Sequence, residues 1–196
     1  NLDRRRLFVA TALLLALPAA LHAQGAPVVV QGQAFDRQLQ LAGSVLVLNG
    51  TGIRAVAWFK GFAAALYLSG RAATAALVLA APGPKRLQLR MLHDVPTSEF
   101  AKAFRKGVAR NASPQEQTLL ATRMAQFEAQ IRTTDKVQQG DVINLDFDPA
   151  QGMSFSVNGT LRGEPIPGAD FYAALLRSFV GDKPFDTKLR AGLLGG

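Results

Sequence analysis

Apolar and polar residues alternate most regularly between residues 85 and 92 of this chain. Leu87, Leu89 and Met91 fall on one side of an extended segment, and Arg86 and Arg90 fall on the other. Successive side chains of a strand point to opposite faces, so this pattern predicts a half-buried β-strand. Shorter apolar runs predict strands over residues 28–31, 45–48, 52–59, 62–68, 142–147 and 153–157, and one more that begins at residue 161.

Helical periodicity is found in the middle and at the end of the chain. Phe100, Phe104 and Val108 recur every four residues, which predicts an amphipathic helix from residue 96. Ser113 followed by Pro114 predicts the start of a second helix, because serine caps free amide groups and proline fits the first turn. Further helices are predicted over residues 71–81, 170–180 and 186–194.

The order of these segments predicts the fold class. Asn-Gly pairs at 49–50 and 158–159 are typical of tight turns. An early antiparallel sheet is followed by a helical layer, a returning hairpin and a closing helix. This order is typical of a single α+β domain, which we place at residues 24–196.

The first 23 residues have the pattern of an export signal. Three arginines at 4–6 precede an apolar segment at 7–20, and Leu21-His22-Ala23 follows as a cleavage site, in which Leu at the first position is less usual than Ala. The apolar segment is shorter than the roughly 20 residues that a membrane-spanning helix needs. We therefore expect residues 1–23 to be a signal peptide that directs the domain to a bacterial periplasm, with an uncleaved anchor as the alternative.

Composition excludes several kinds of site. The chain has no cysteine and two histidines, of which His22 lies in the predicted signal. We therefore expect no disulfide, no metal site and no cofactor, and the lack of disulfides suits a bacterial periplasm. The net charge is +8, but the basic residues are scattered rather than clustered with aromatic residues, so a nucleic-acid partner is not expected.

Arg54 is the main candidate for chemistry. It lies in the apolar predicted strand 52–59, where both faces look buried. A guanidinium keeps its proton, and burying it without an anionic partner is costly. Two partners remain open at this point: an acid of this chain, with Glu164 as the first candidate, or the acidic group of a ligand.

Motifs along most of the chain resemble the chalcone isomerase-like family, in particular its exported bacterial members. They occur in the family's order at residues 49–54, 59–68, 84–86, 94–96, 104–107, 163–168, 170–172 and 179–181. The resemblance implies an open-faced β-sandwich, in which a long antiparallel sheet is packed by helices on one side. It also implies a ligand cleft between the sheet and the helices.

The resemblance suggests four ligand-binding residues. Arg54 matches the arginine that holds the phenolate in the plant isomerases of the family. The plant enzymes carry Thr, Tyr and Asn at the positions of Phe62, Thr97 and Phe104. The fatty-acid-binding relatives carry a Tyr near the position of Phe62. Phenylalanine cannot donate hydrogen bonds to a developing oxyanion, so catalytic residues for ring closure are not expected.

These observations lead to one expected function and two alternatives. We expect a non-catalytic periplasmic domain that binds a small amphipathic or apolar carboxylate, such as a fatty acid, between sheet and helices. Membrane association is expected only through the signal segment, if that segment is retained. The alternatives are an isomerase or intramolecular lyase of the chalcone isomerase type, acting on an unknown substrate, and a structural interaction domain of the cell envelope.

Overall fold

The computed structural model describes residues 25–56, 59–133 and 136–196, and the predicted signal peptide lies outside the described residues. Within them the fold is α+β, built on a seven-stranded sheet in which every neighbouring pair is antiparallel. The strands are β1 (Val28–Val30), β2 (Gln33–Phe35), β3 (Gln38–Leu41), β4 (Ser44–Val56), β5 (Phe59–Leu68), β6 (Lys85–Met91), β7 (Val95–Pro96), β8 (Lys136–Val137), β9 (Val142–Asp148), β10 (Gly152–Val157) and β11 (Thr160–Leu161). The order across the large sheet is β11-β10-β9-β6-β5-β4-β3, while β1 pairs with β2 and β7 with β8.

Five helices accompany the strands in the described part of the chain: α1 (Ala75–Ala80), α2 (Thr97–Asn111), α3 (Pro114–Ile131), α4 (Ala169–Val180) and α5 (Thr187–Leu193). The start of α3 confirms its sequence signal, because the Ser113 hydroxyl accepts a hydrogen bond from the Glu116 amide at 3.2 Å. None of the described helices is both long and apolar enough to cross a membrane.

The two faces of the sheet carry separate hydrophobic cores. The larger core lies between the sheet and the five helices, and it includes Leu87, Leu89 and Met91 as the alternation predicted. A smaller core on the opposite face joins Phe35 of the β1–β2 hairpin to Tyr67 of β5. The helices therefore cover one face, and the hairpin covers part of the other.

The structure corrects two predictions around β4. The segments predicted as separate strands at 45–48 and 52–59 are joined in one strand, β4, which ends at Val56, while Phe59 belongs to β5. The Asn49-Gly50 pair lies inside β4 rather than in a turn. A Cβ at Gly50 would collide with the backbone carbonyl oxygens of Gly192 and Leu193, so this glycine lets α5 pack against the strand. The pair Asn158-Gly159 does form the predicted turn, with φ angles of 52° and 79°.

Candidate functional site

Three side chains from neighbouring strands line up at one end of the sheet. Arg54 of β4 stands opposite Phe62 of β5, and Phe62 stands opposite Met91 of β6. Cross-strand partners on one face are close neighbours, so this register brings residues far apart in sequence into one row. The register of β4 against β5 shifts directly after Arg54, and such irregularities redirect side chains at the edges of sheets.

This row forms one wall of an apolar cleft of about 240 Å³. Val95 and the first turns of α2 form the facing wall, where Phe100 and Ala103 turn toward the sheet. Arg54 is the one side-chain hydrogen-bond donor among the described residues that line this cleft. The cleft is therefore a short, mostly apolar slot whose lining contains one cation, Arg54, and one acid, Glu99.

Arg54 has no acidic partner at ion-pair distance among the described residues. Its guanidinium carbon lies 4.7 Å from the ring centroid of Phe185, which is a cation–π contact. Glu164, the first candidate for an internal partner, is exposed and does not pair with Arg54. Its backbone carbonyl accepts a hydrogen bond from the Gln130 side chain. Residues 53–55 are half-buried, so the prediction that both faces are buried there was wrong.

The surroundings of Arg54 disfavour its charge. Partial burial lowers the pKa of the Arg54 guanidinium below its ordinary value, and the positive charge of Arg110 acts in the same direction. Asp186 acts in the opposite direction, but its carboxylate already accepts hydrogen bonds from the amides of Lys188 and Leu189 at the start of α5. Since arginine stays protonated in proteins, a bound anion would relieve this unfavourable setting.

Beside Arg54 the cleft opens into a basic mouth of about 220 Å³, which shares Arg54, Glu99 and Ala103 with the apolar part. Its other cations are Lys102, Lys106 and Arg110 of α2.

A family model described as chalcone isomerase-like matches residues 27–195. The chain belongs to the chalcone isomerase-like family. Among solved structures it is similar to a fatty-acid binding protein of Arabidopsis thaliana, with 15% sequence identity and a TM-score of 0.68. That match covers 86% of this chain and 95% of the plant protein, and at this identity it establishes the fold. No curated protein matches the chain in sequence.

Within this chalcone isomerase-like fold, the four residues predicted to bind a ligand are not all on the cleft. Arg54 and Phe62 line it, while Thr97 is buried at the first position of α2 and is absent from its described lining. Phe104 is also buried and lies behind the cleft wall, with its ring 5.1 Å from Phe100 and 5.9 Å from Phe179, centroid to centroid. The structure therefore brings two of the four residues together on the cleft.

Several residues of the site escaped the sequence analysis. The sequence pattern places Met91 on the buried side of a strand and Phe100 on the apolar face of a helix, and no pattern distinguishes Phe185. The sequence does contain a signal for the basic mouth, because the cations Lys102, Lys106 and Arg110 recur every four residues along one helix face. In the sequence alone, these cations count as part of a scattered basic surface, because the sequence does not show that Arg54 lies beside them.

A larger groove of about 320 Å³ lies elsewhere, between α2 and α3. Its cation Arg105 is already paired with Glu128 at 3.4 Å, and Glu128 also pairs with Arg132 at 3.1 Å. The cation in the lining of this groove is therefore already ion-paired, whereas Arg54 in the cleft is not paired within the described part of the chain. Among the described residues, no group of three or more metal-binding side chains is present.

Proposed function

We propose that this domain binds a small amphipathic carboxylate, such as a short or medium-chain fatty acid, without transforming it. The observation that carries the proposal is the half-buried Arg54 guanidinium, which has no carboxylate partner among the described residues and stands at the end of an apolar cleft. A charge-assisted hydrogen bond would hold the ligand's acid, and apolar contacts with Phe62, Met91 and Phe100 would hold its chain.

Two further observations support the proposal. The plant protein to which this fold is similar is a fatty-acid binding protein. The cleft volume of about 240 Å³ lies just below the roughly 300–1,000 Å³ that is typical of sites for drug-sized ligands. We therefore expect a chain of about eight carbons to bind better than a long one.

Calorimetry with octanoate and with the neutral octanol tests this function. Arg54→Met keeps an unbranched, flexible side chain, although a shorter one, and removes its charge. We expect this change to weaken octanoate binding about tenfold to hundredfold, because one charge-assisted bond is lost, and to change octanol binding little. The wild-type protein should bind both compounds.

Arg71→Met is the matched control, since Arg71 is exposed and lies outside the cleft. It removes the same charge and should leave octanoate affinity unchanged. The melting temperature of Arg54→Met should stay close to that of the wild type, because no buried acid loses its partner. Failure of the wild type to bind octanoate, or equal binding by Arg54→Met, would contradict the proposal.

We also propose that the domain works in a bacterial periplasm after removal of residues 1–23. The basic and then apolar start of the chain supports this proposal. N-terminal sequencing of protein from a periplasmic extract should begin at Gln24 or within a few residues of it. Protein that still contains residues 4–20 would rule out cleavage.

A further inference from the structure

Three cations of α2 form a stripe along the mouth of the cleft. Lys102, Lys106 and Arg110 are each four residues apart, and all three are exposed. Like charges at this spacing repel each other and destabilise a helix. Arg54 faces the same mouth from the sheet, so four positive charges surround one cavity of about 220 Å³.

The described acids near this mouth compensate little of that charge. Glu99 is the one acidic residue in the lining, and it is paired with Lys102 at 3.3 Å. Neither Lys106 nor Arg110 belongs to an ion pair among the described residues, and the side chain of Arg110 reaches the backbone carbonyl of Lys106. After the Glu99–Lys102 pair is set aside, three cations remain in the lining: Arg54, Lys106 and Arg110. The charge of Asp186, outside this lining, acts on Arg54 and offsets part of it.

The geometry points to a ligand whose head group is a phosphate monoester, with its apolar chain in the cleft and its phosphate between Arg54 and the stripe of α2. The inference rests on the proposed function, because both place the chain beside Phe62 and the anion beside Arg54. A carboxylate carries one negative charge, whereas a phosphate monoester carries about two at neutral pH and offers three acceptor oxygens. Arginine binds such oxygens in pairs, and lysine contributes a mobile point charge.

The test compares four ligands with the same eight-carbon chain: octyl phosphate, octyl sulfate, octanoate and octanol. Octyl sulfate has the tetrahedral shape of the phosphate but a single charge, so it separates charge from shape. We expect octyl phosphate to bind the wild-type protein about tenfold more tightly than octyl sulfate or octanoate, which corresponds to one additional charge-assisted contact.

The double variant Lys106→Gln/Arg110→Gln removes the unpaired part of the stripe and leaves Arg54 in place. It should lose about tenfold in affinity for octyl phosphate while octanoate affinity changes little. The control Arg37→Gln/Arg71→Gln removes two exposed charges that lie outside the cleft and its mouth and belong to no ion pair among the described residues, and it should change neither affinity. An equal loss in the control variant would show a general effect of net charge and would overturn the inference.

The outcomes separate this inference from the proposed function. If octanoate binding depends on Arg54 but octyl phosphate binds no more tightly than octyl sulfate, the carboxylate function stands and the phosphate inference fails. If no octyl compound binds, both fail.

Sedimentation with vesicles of phosphatidylcholine and phosphatidic acid distinguishes a monomeric ligand from a lipid surface. We expect no more protein to sediment with these vesicles than with pure phosphatidylcholine. The protein could instead sediment with phosphatidic acid vesicles and fail to bind monomeric octyl phosphate. That result would show that the stripe binds a membrane surface, and it would overturn the assignment of the phosphate to the cleft.

Discussion

Arg54, Phe62 and Met91 come from three neighbouring strands, and backbone pairing places them in one row along the cleft. Arg54 was recognisable because a permanent cation within an apolar strand needs a partner. Met91 was predicted to face the core, but its place beside Phe62 depends on the register of β5 against β6. Register is set by pairing between distant segments, and no local pattern of the chain encodes it.

The chemistry of these side chains predicts that the protein does not close the ring of a chalcone. Arg54 can hold a phenolate, but Phe62 and Met91 beside it offer no proton and no hydrogen bond to a carbonyl. Each missing donor of this kind typically costs about a hundredfold to a thousandfold in rate. The loss of chalcone absorbance at neutral pH should therefore proceed equally fast with and without the protein.

A plant isomerase of the family serves as the positive control for that assay. The variant Arg54→Ala should behave like the wild type, because we expect no catalysis that it could abolish. A large rate enhancement by the wild type that disappears in Arg54→Ala would establish the isomerase alternative instead.

At the scale of elements, the sequence was most informative where local chemistry is strong. The α3 helix begins at its predicted cap, and the β10–β11 turn uses the predicted Asn158-Gly159 pair. Strands β2, β3, β7 and β8 were not predicted, since segments of two to four residues carry too little periodicity. The Asn49-Gly50 pair was misread, because its glycine serves close packing with α5 and not a turn.

The contact between β4 and α5 predicts a strong effect of Gly50→Ala. The added Cβ would meet the backbone carbonyl oxygens of Gly192 and Leu193, which cannot rotate away as a side chain can. Overpacking of this kind typically costs about 1–3 kcal/mol, and we expect a loss of stability at the upper end of that range. Urea denaturation followed by circular dichroism measures it.

Gly70→Ala is the matched control for this contact. A Cβ at Gly70 would meet no atom within 4 Å, and its backbone is not in the left-handed region. The same substitution should therefore be neutral or stabilising by up to about 1 kcal/mol, because it restricts the unfolded chain. Equal stability of the two variants would show that α5 does not pack against β4 as described.

At the scale of the whole molecule, the sheet separates two cores, and each contains one of the two tyrosines. Tyr67 lies under the β1–β2 hairpin, and Tyr172 lies among the helices, where its hydroxyl donates a hydrogen bond to the Leu145 carbonyl at 3.2 Å. The sequence predicted the helical layer over one face. It did not predict the second core, because strand β2, which contributes Phe35, escaped detection.

Alkaline titration tests whether both cores exclude water. Burial, with a smaller contribution from the negative charge of Asp36, raises the pKa of Tyr67 to about 12. Burial also raises the pKa of Tyr172, with the charge of Asp146 as the second cause. An unfolded tyrosine has a pKa of about 10, so above about pH 10 the unfolded chain releases protons that the folded chain keeps.

Stability should therefore be unaffected by these groups below about pH 10 and should fall as the pH rises from about 10 to 12. The ultraviolet absorbance of phenolate should stay low near pH 10, where a sample unfolded in urea already shows about half of its tyrosines ionised. Tyr67→Phe removes the group of lower pKa and should delay the first rise in absorbance. One result would contradict this expectation: an ionisation near pH 10 that occurs while circular dichroism still reports a folded protein. If the Tyr67→Phe variant lacks that ionisation, the hairpin does not exclude water from the second core.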